Sequence, residues 1–333
     1  MIQIRQAVYE DIPRIMQFVE EHWKRGHIVG NSREFFEWQF VEGNDVHFII
    51  AEDENGTLYG MDGYILYSHE ENSDISGCLW KTIKSECPFL GLKFGNVIEQ
   101  EVRPRYGVGI GLNSRAQKIE KLQGNQISFM SHFYRLGIFD EYRIAKVINL
   151  MIPSYKTCES EFVPLRTMQE FCKAISDHEL RKHIPYKDYT YIQHRYFEHF
   201  SYSYQLFQLV KEGKRVNAVF VMREVEHAGR RIMKIIDFYG DSREIAYGGM
   251  ALDNLLKKEG YEFIDFYCYG VCDEVVQKAG FIKRTKDDQN VIPNYFEPFE
   301  QRNVEISVAG SALSAPNTRI FRGDGDQDRP SNW

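Results

Sequence analysis

No stretch of this 333-residue chain approaches the roughly 20 consecutive apolar positions that cross a bilayer. The opening residues, Met1-Ile-Gln-Ile-Arg-Gln6, lack the basic and apolar pattern of a secretory leader. Both absences point to a cytosolic protein without a membrane partner. Blocks of lysine or arginine are missing too. The net charge of −7 is spread along the chain, so no basic run can track a phosphate backbone, and nucleic acid is not an expected partner. The six cysteines, at 78, 87, 158, 172, 268 and 272, show no paired spacing, which argues for thiols in a reducing compartment rather than a disulfide framework. The ten histidines form no zinc-type pattern. His194 and His199, five apart, do not share a helical face, and no metal is implied.

What is present is one pattern written twice. In the first half, Trp80 to Glu86 reads as a strand, Pro88 to Phe94 opens a helix running towards Arg105, Tyr106 to Leu112 is a glycine-rich strand, and Arg115 to Gly124 is a short helix. In the second half, Met233 to Gly240 is a strand, Tyr247 to Leu256 a turn and helix, Tyr261 to Cys268 a strand, and Asp273 to Gly280 a helix. Duplication on this scale predicts two similar domains rather than a solenoid. The length agrees, since about 150 residues per domain is usual. Hydrophobic residues at 43% and charged residues at 27% suit a chain that buries two cores.

The remaining segments fit around this unit. Ile2 to Val8 alternates like a half-buried strand. Asp11-Ile-Pro13 begins a helix whose Ile12, Ile15, Met16, Val19 and Trp23 recur at helical spacing. Ser32 to Phe40 is a second amphipathic segment. His47 to Glu52 and Leu58 to Tyr67 form a hairpin about Glu54-Asn-Gly56, and Tyr204 to Val210 and Arg215 to Arg223 form another about Glu212-Gly-Lys. Ile144 to Met151 is expected as a strand. From Gly310 onward the small and polar composition does not pack a core of its own. The expected organisation is an N-terminal domain over 1–150, a connecting segment over 151–190, a C-terminal domain over 191–309 and a tail over 310–333.

Strand, two helices, antiparallel strands, helix, strand, helix, strand resembles the GNAT (general N-acetyltransferase) order. The fold class implied is α/β (α+β), as tandem GNAT-like domains, each a mixed, largely antiparallel sheet flanked by helices. Such a fold implies acyl-CoA as co-substrate and transfer to an amine. An anion such as a pyrophosphate suits a helix N-terminus. The turn in the corresponding place is Cys87-Pro-Phe-Leu-Gly-Leu-Lys-Phe94, so Cys87, Leu90, Gly91, Leu92 and Lys93 are the candidate CoA-binding residues. It has one glycine and no initial arginine, unlike the Gln/Arg-x-x-Gly-x-Gly/Ala of the family. Removing a proton from the amine asks for a carboxylate or imidazole, and Asp74, Glu86 and His132 are the candidates on the N-terminal sheet. Ile83 to Glu86 lie where GNAT proteins open their sheet to offer a backbone donor. Many GNAT enzymes place a tyrosine four residues before the glycine that closes the last helix. Here that position holds Glu120 before Gly124 and Val276 before Gly280.

A narrower resemblance rests on Trp80 with Pro88-x-Leu-Gly, the strand Tyr106 to Leu112, Ser131-His-Phe-Tyr-Arg-Leu136, Tyr191-Ile-x-x-Arg-Tyr-x-x-His199, Ile292-Pro-Asn-Tyr-Phe-Glu-Pro-Phe299 and the terminal Gly-Asp-Gly-Asp-Gln-Asp-Arg-Pro330. Together these are similar to the two-domain N-acyltransferases of bacterial surface-polysaccharide biosynthesis, the anthrose pathway among them. The resemblance implies transfer of an acetyl or short hydroxyacyl group from acyl-CoA to the amine of a nucleotide-linked amino-deoxy sugar. In that reading the second half, with His194, Arg195, Asp324, Asp326, Gln327, Asp328 and Arg329, holds the nucleotide sugar, and the tail closes over the cleft. Two alternatives stand beside it: a tandem GNAT peptidyltransferase of cell-wall synthesis, and a GNAT pair that binds nucleotide sugar without catalysis.

Overall fold

Residues 1–325 and 328–330 are described by the computed structural model. Its main strands, in chain order, are β1 (Gln3–Gln6), β2 (Phe48–Glu52), β3 (Leu58–Leu66), β4 (Ile75–Thr82), β5 (Gly107–Ile110), β6 (Gln126–Phe129), β7 (Ser131–Leu136), β8 (Ser160–Leu165), β9 (Gln205–Lys211), β10 (Lys214–His227), β11 (Arg230–Gly240), β12 (Phe263–Tyr269), β13 (Ile282–Lys283), β14 (Ser307–Gly310) and β15 (Ile320–Phe321). The helices that bear on the site are α1 (Ile12–Phe18), α2 (Arg33–Phe40), α3 (Leu90–Val97), α4 (Ser114–Leu122), α5 (Gly249–Glu259) and α6 (Asp273–Lys278). Among the described residues no helix is long and apolar enough to cross a membrane. All six cysteines are free thiols.

The chain divides into two units, one of Met1–Ser128, Ser307–Leu313 and Arg329–Trp333, the other of Phe129–Ile306 and Ser314–Asp328. The first unit is built on a sheet of order β1-β2-β3-β4-β5-β14-β6. β1 to β4 are antiparallel neighbours, while β4 and β5 run parallel with α3 as the crossover between them. The β2–β3 hairpin forms where expected, its turn closed by Gly56 at φ +80°. α1 starts as expected with Pro13 in its first turn, and Asp11 accepts the Val8 N–H at 2.9 Å. Ile12, Ile15, Phe18 and Val19 are buried, but Trp23 is 40% exposed. The helix widens to a π-helical turn over Val19–Trp23, which rotates Trp23 away from the face the 3.6-residue period predicts.

The second unit repeats the arrangement in the order β8-β9-β10-β11-β12-β7-β13. β11 and β12 are the parallel pair, and α5 is their crossover. One core cluster joins the inward residues of β10, β11 and β12, including Phe220, Met222, Met233, Ile235 and Ile264, to Ala251, Leu252 and Leu256 of α5 and Val276 of α6. Both units are thus mixed sheets flanked by helices.

Four expectations are revised. The strand placed at Trp80 to Glu86 is β4, five residues earlier at its start, because Ser76, Gly77 and Cys78 pair with β3, and Ser76 and Gly77 also with β5. Ile144 to Met151 is not a strand. Apart from one isolated bridge between Lys146 and Val291, side chains meet several of its backbone donors: Ile144 and Ala145 N–H reach Glu262 Oε1 at 2.9 and 2.7 Å, and Ile148 and Asn149 N–H reach Asn290 Oδ1 at 2.8 and 2.9 Å. Residues 129–150 belong to the second unit rather than the first, since β7 pairs with β12 over six positions from Phe263↔Leu136 to Cys268↔Ser131. The described part of the stretch expected as a tail from Gly310 onward contributes to the sheets. β14 lies between β5 and β6 in the first sheet, and β15 pairs with β12 in the second.

Charges buried within the second unit hold the segment around Arg322. Arg322, fully buried, donates to Asp265 on β12 and to Asn294 Oδ1 at 2.6 Å. Burial pushes the Asp265 carboxyl up, but Arg322 and Lys234 outweigh it and hold the group well below the usual carboxylate range. Removing one partner of a buried pair leaves an uncompensated charge, at a cost of about 3–5 kcal/mol. Arg322→Met is therefore expected to lower unfolding free energy by about that amount, measured by urea denaturation. A change within about 0.5 kcal/mol would mean that this stretch is peripheral to the second unit.

Candidate active site

The first unit contains the local geometry on which a site can be built. β4 and β5 stay paired only through Ile75↔Gly107, Ser76↔Val108 and Gly77↔Gly109. Just past that point β4 is irregular. Its register with β3 shifts between Met61↔Lys81 and Gly63↔Cys78, so two β4 residues, Leu79 and Trp80, stand opposite Asp62 alone. Leu79 takes φ +50°, uncommon for a side chain of its size. A bulge bends its strand and raises the local twist, and β4 leaves β5 here.

Asp62 stands opposite this irregularity. Along β3, Gly60 lies under the Phe94 ring of α3 and Tyr64 packs in the cluster of Leu90 and Phe94, so the residue between them in the period-two pattern faces the same helix. Asp62 keeps a partly exposed surface. Burial raises its carboxyl well above the usual range, and the charge of Glu120 pushes it further. Glu120 of α4 is itself raised by burial, against the hydrogen bond that Asn125 Nδ2 donates to its Oε2 at 2.6 Å. Among the described residues no arginine or lysine forms a hydrogen bond or ion pair with either group. The Trp80 indole N–H, next to the bulge, is buried without an acceptor. Two carboxyl groups with raised affinity for protons and one unused donor therefore surround the place where the strands part.

α3 and α4 close around it. Gly91 presents its bare Cα to Trp80 and Ile119, where a Cβ would stand 3.3 and 3.6 Å away, and a Cβ on Gly95 would collide with Gln123. Gln123 Nε2 donates to the Leu92 carbonyl at 3.3 Å. α4 is capped by Asn113, whose Oδ1 accepts from Arg115 and Ala116 N–H at 3.0 and 2.9 Å. α3 has no side-chain cap. Its N-cap residue, Phe89, is left-handed at φ +57° and 78% exposed. An uncapped N-terminus with free donors favours an anion, and Lys93 Nζ, 3.2 Å from Cys87 Sγ, adds a positive charge to the same turn.

The residues singled out from sequence are not brought together. Glu86 is exposed on the link between β4 and α3. Asp74, with no side-chain exposure, is held by Arg105 through bonds of 2.9 and 2.8 Å, and it precedes β4 at the end away from the parting strands. His132 is not on the N-terminal sheet. It lies in β7 of the second unit, stacked on Tyr267 at 3.9 Å with Nε2 3.4 Å from Asp265, and burial lowers its pKa to about 4. Of the proposed CoA contacts, Leu90 is core, Cys87 is half-buried against the same cluster, Gly91 and Leu92 serve the packing of α3 on α4, and Lys93 is exposed. Arg195 and Asp328 do meet, at 3.2 Å, but as internal partners: Asp328 also accepts from Tyr204 at 2.8 Å and from Arg223 at 2.7 Å. Asp324 takes Lys187 at 2.6 Å. His194 is half-buried beside Arg195, and Arg329 is buried. Asp326 and Gln327 lie outside the described residues. Sequence reading passed over Asp62, although an aspartate between Gly60-Met and Gly63 in an otherwise apolar strand was a usable signal.

No protein-family model and no curated protein sequence matches the chain. Solved structures do. A GCN5-related N-acetyltransferase from Anabaena variabilis superposes with a TM-score of 0.53 over 92% of this chain and 72% of its own, at 9% identity. A conserved protein of unknown function from Enterococcus faecalis, described as a probable N-acyltransferase, gives the same score, coverage and identity. The likeness is one of fold: this chain carries the GNAT architecture in tandem.

The folded first unit holds the Asp62 proton more tightly than the unfolded chain does. Its ionised form therefore opposes folding at neutral pH, and this penalty disappears below the ordinary aspartate pKa of about 4. Asp62→Asn is expected to melt at a higher temperature than the parent at pH 7 and at nearly the same temperature at pH 4. Calorimetry at the two pH values checks this, and a lower melting temperature at pH 7 would show that the carboxylate is stabilised by partners.

Proposed function

We propose that the protein is an acyl-CoA-dependent N-acyltransferase working in the first unit, with Asp62 as base and Glu120 as acid. The observation that carries this reading is the pair of half-buried carboxyl groups, with raised proton affinity and no cation partner, beside parting parallel strands of a GNAT sheet. The tandem GNAT architecture supports an acyl-CoA thioester as donor. Its phosphates would lie at the uncapped start of α3 near Cys87 and Lys93, and backbone N–H groups of β4 beyond Gly77 would meet the thioester carbonyl.

The chemistry balances on these two groups. The amine nitrogen attacks the thioester carbon and yields its proton to Asp62. The C–S bond breaks, and Glu120 gives its proton to the departing thiolate. A proton moving from Asp62 to Glu120 restores the starting state. Carboxyl groups with raised proton affinity suit both roles, since they can take and give a proton more readily than ordinary carboxylates. Glu120 would thus do what the tyrosine at this place in many GNAT enzymes does. For the acceptor, the motif resemblance favours the amine of a nucleotide-linked amino-deoxy sugar. The residues that resemblance would assign to it, Arg195, Asp324 and Asp328, are paired with one another or with other side chains, so its contacts would come from elsewhere.

Thiol release from acetyl-CoA in the presence of a panel of amino-sugar nucleotides tests the reading. Asp62→Asn and Glu120→Gln are each expected to lower kcat by about 10²–10⁴ with little change in the KM for acetyl-CoA. The fall of kcat/KM on the acid side of the profile, where Asp62 takes up a proton, should vanish in Asp62→Asn. Full activity in both variants would remove the pair from the mechanism and return Glu86 to consideration.

A further inference from the structure

The second unit has the same parting of parallel strands, but there it is filled. β11 and β12 pair only through Met233↔Ile264, Lys234↔Asp265 and Ile235↔Phe266, and the β10–β11 register shifts between Val221 and Met222 just where they separate. The far edge of β12 is covered by β7 as far as Cys268↔Ser131. β15, which pairs Cys268↔Phe321 and Tyr269↔Ile320, must therefore lie on the side facing β11, inside the opening. We infer that residues 320–325 are a permanent internal occupant of this opening, and that the second unit consequently has no acyl-CoA site.

The segment is built for the place. Phe321 stacks on Phe266 at 5.8 Å with the rings 10° from parallel, and the Arg322 guanidinium lies 4.8 Å above the Tyr267 ring. Arg322 meets Asp265 on β12, before the strands part. Asp324 reaches the other wall through Lys187, which bridges it at 2.6 Å to Asp237 of β11, also at 2.6 Å. Gly323 passes so close to β11 that a Cβ would stand 2.6 Å from the Tyr196 hydroxyl and 3.0 Å from Ile236, so only glycine fits. Each charge of the segment is met by a charge or amide of the walls, and every contact is made within one unit. In the first unit, among the described residues, no strand enters the corresponding gap between β4 and β5. Asymmetry between two copies of one architecture, one gap without an inserted strand beside two carboxyl groups that lack a cation and the other closed by a strand whose charges are paired, assigns donor binding to the first copy alone.

The inference rests on the acyl-CoA reading only for the identity of the excluded ligand. Titration calorimetry of the intact protein with acetyl-CoA is expected to give one equivalent per chain, with ligand-dependent amide protection within residues 75–124. Two equivalents, or protection within residues 233–256, would overturn it. Amide exchange without ligand gives an independent readout: the Phe321 and Gly325 N–H groups should exchange as slowly as those of β11. Exchange within seconds at those two positions would show that the segment is a loose cover. If no acetyl-CoA binds at all, the donor reading fails, while slow exchange at Phe321 would still establish the occupied opening.

Discussion

Two parallel strands can share a ladder only while their twists agree, and in this protein they stop agreeing halfway along both central pairs. A bulge on the side of β4 or β11 away from its parallel partner bends the strand out of register. The backbone donors and acceptors that lose their partners must then be satisfied by water, by a bound molecule or by another part of the chain. That requirement organises the rest of the molecule. In the second unit it is met by β15, and the polar walls of the opening are neutralised around it. In the first unit, among the described residues, no strand meets it, and this is where ionisable groups with unusual proton affinity gather.

Charge pairing separates the two kinds of buried acid. Asp265 and Asp328 are fully buried, yet cations hold both below the ordinary carboxylate range against the effect of burial. Burial with compensation is structural in character, as these pairs tie distant elements into one unit. Asp62 and Glu120 are less enclosed, lack cations and are shifted the opposite way. The presence or absence of a cation partner, more than the fact of burial, distinguishes these groups: Asp324, raised by burial, still holds Lys187, while Asp62 and Glu120 have no cation among the described residues.

The tandem repeat was legible because its signals are local. Apolar runs and the glycines that end short helices, Gly124 at φ +89°, Gly260 at φ +68° and Gly280 at φ +84°, mark elements without reference to the rest of the chain. What could not be read depends on partners remote in sequence. Arg195 and Asp328 are 133 positions apart, and Asp265 and Arg322 are 57 apart, so an acidic and glycine-rich stretch with no apolar pattern gave no hint that it lies in a core. β7 was assigned to the wrong half for the same reason, since only its pairing with β12 reveals where it belongs. Asp62 lay in a correctly placed strand, but its significance comes from a bulge in the neighbouring strand and from a helix about sixty residues later, which no local pattern encodes.

The crossing of the chain between the two units has a consequence for biosynthesis. The first sheet needs β14 between β5 and β6, and the second needs β15 against β12, so the first is incomplete in a nascent chain that has not passed residue 310 and the second in one that has not passed residue 321. Strands β1 to β5 emerge from the ribosome some two hundred residues before the strand that covers β5. Until then that edge is open to pairing with another chain. Folding of this protein is therefore completed late and nearly at once for both halves, despite the apparent independence of two repeated domains.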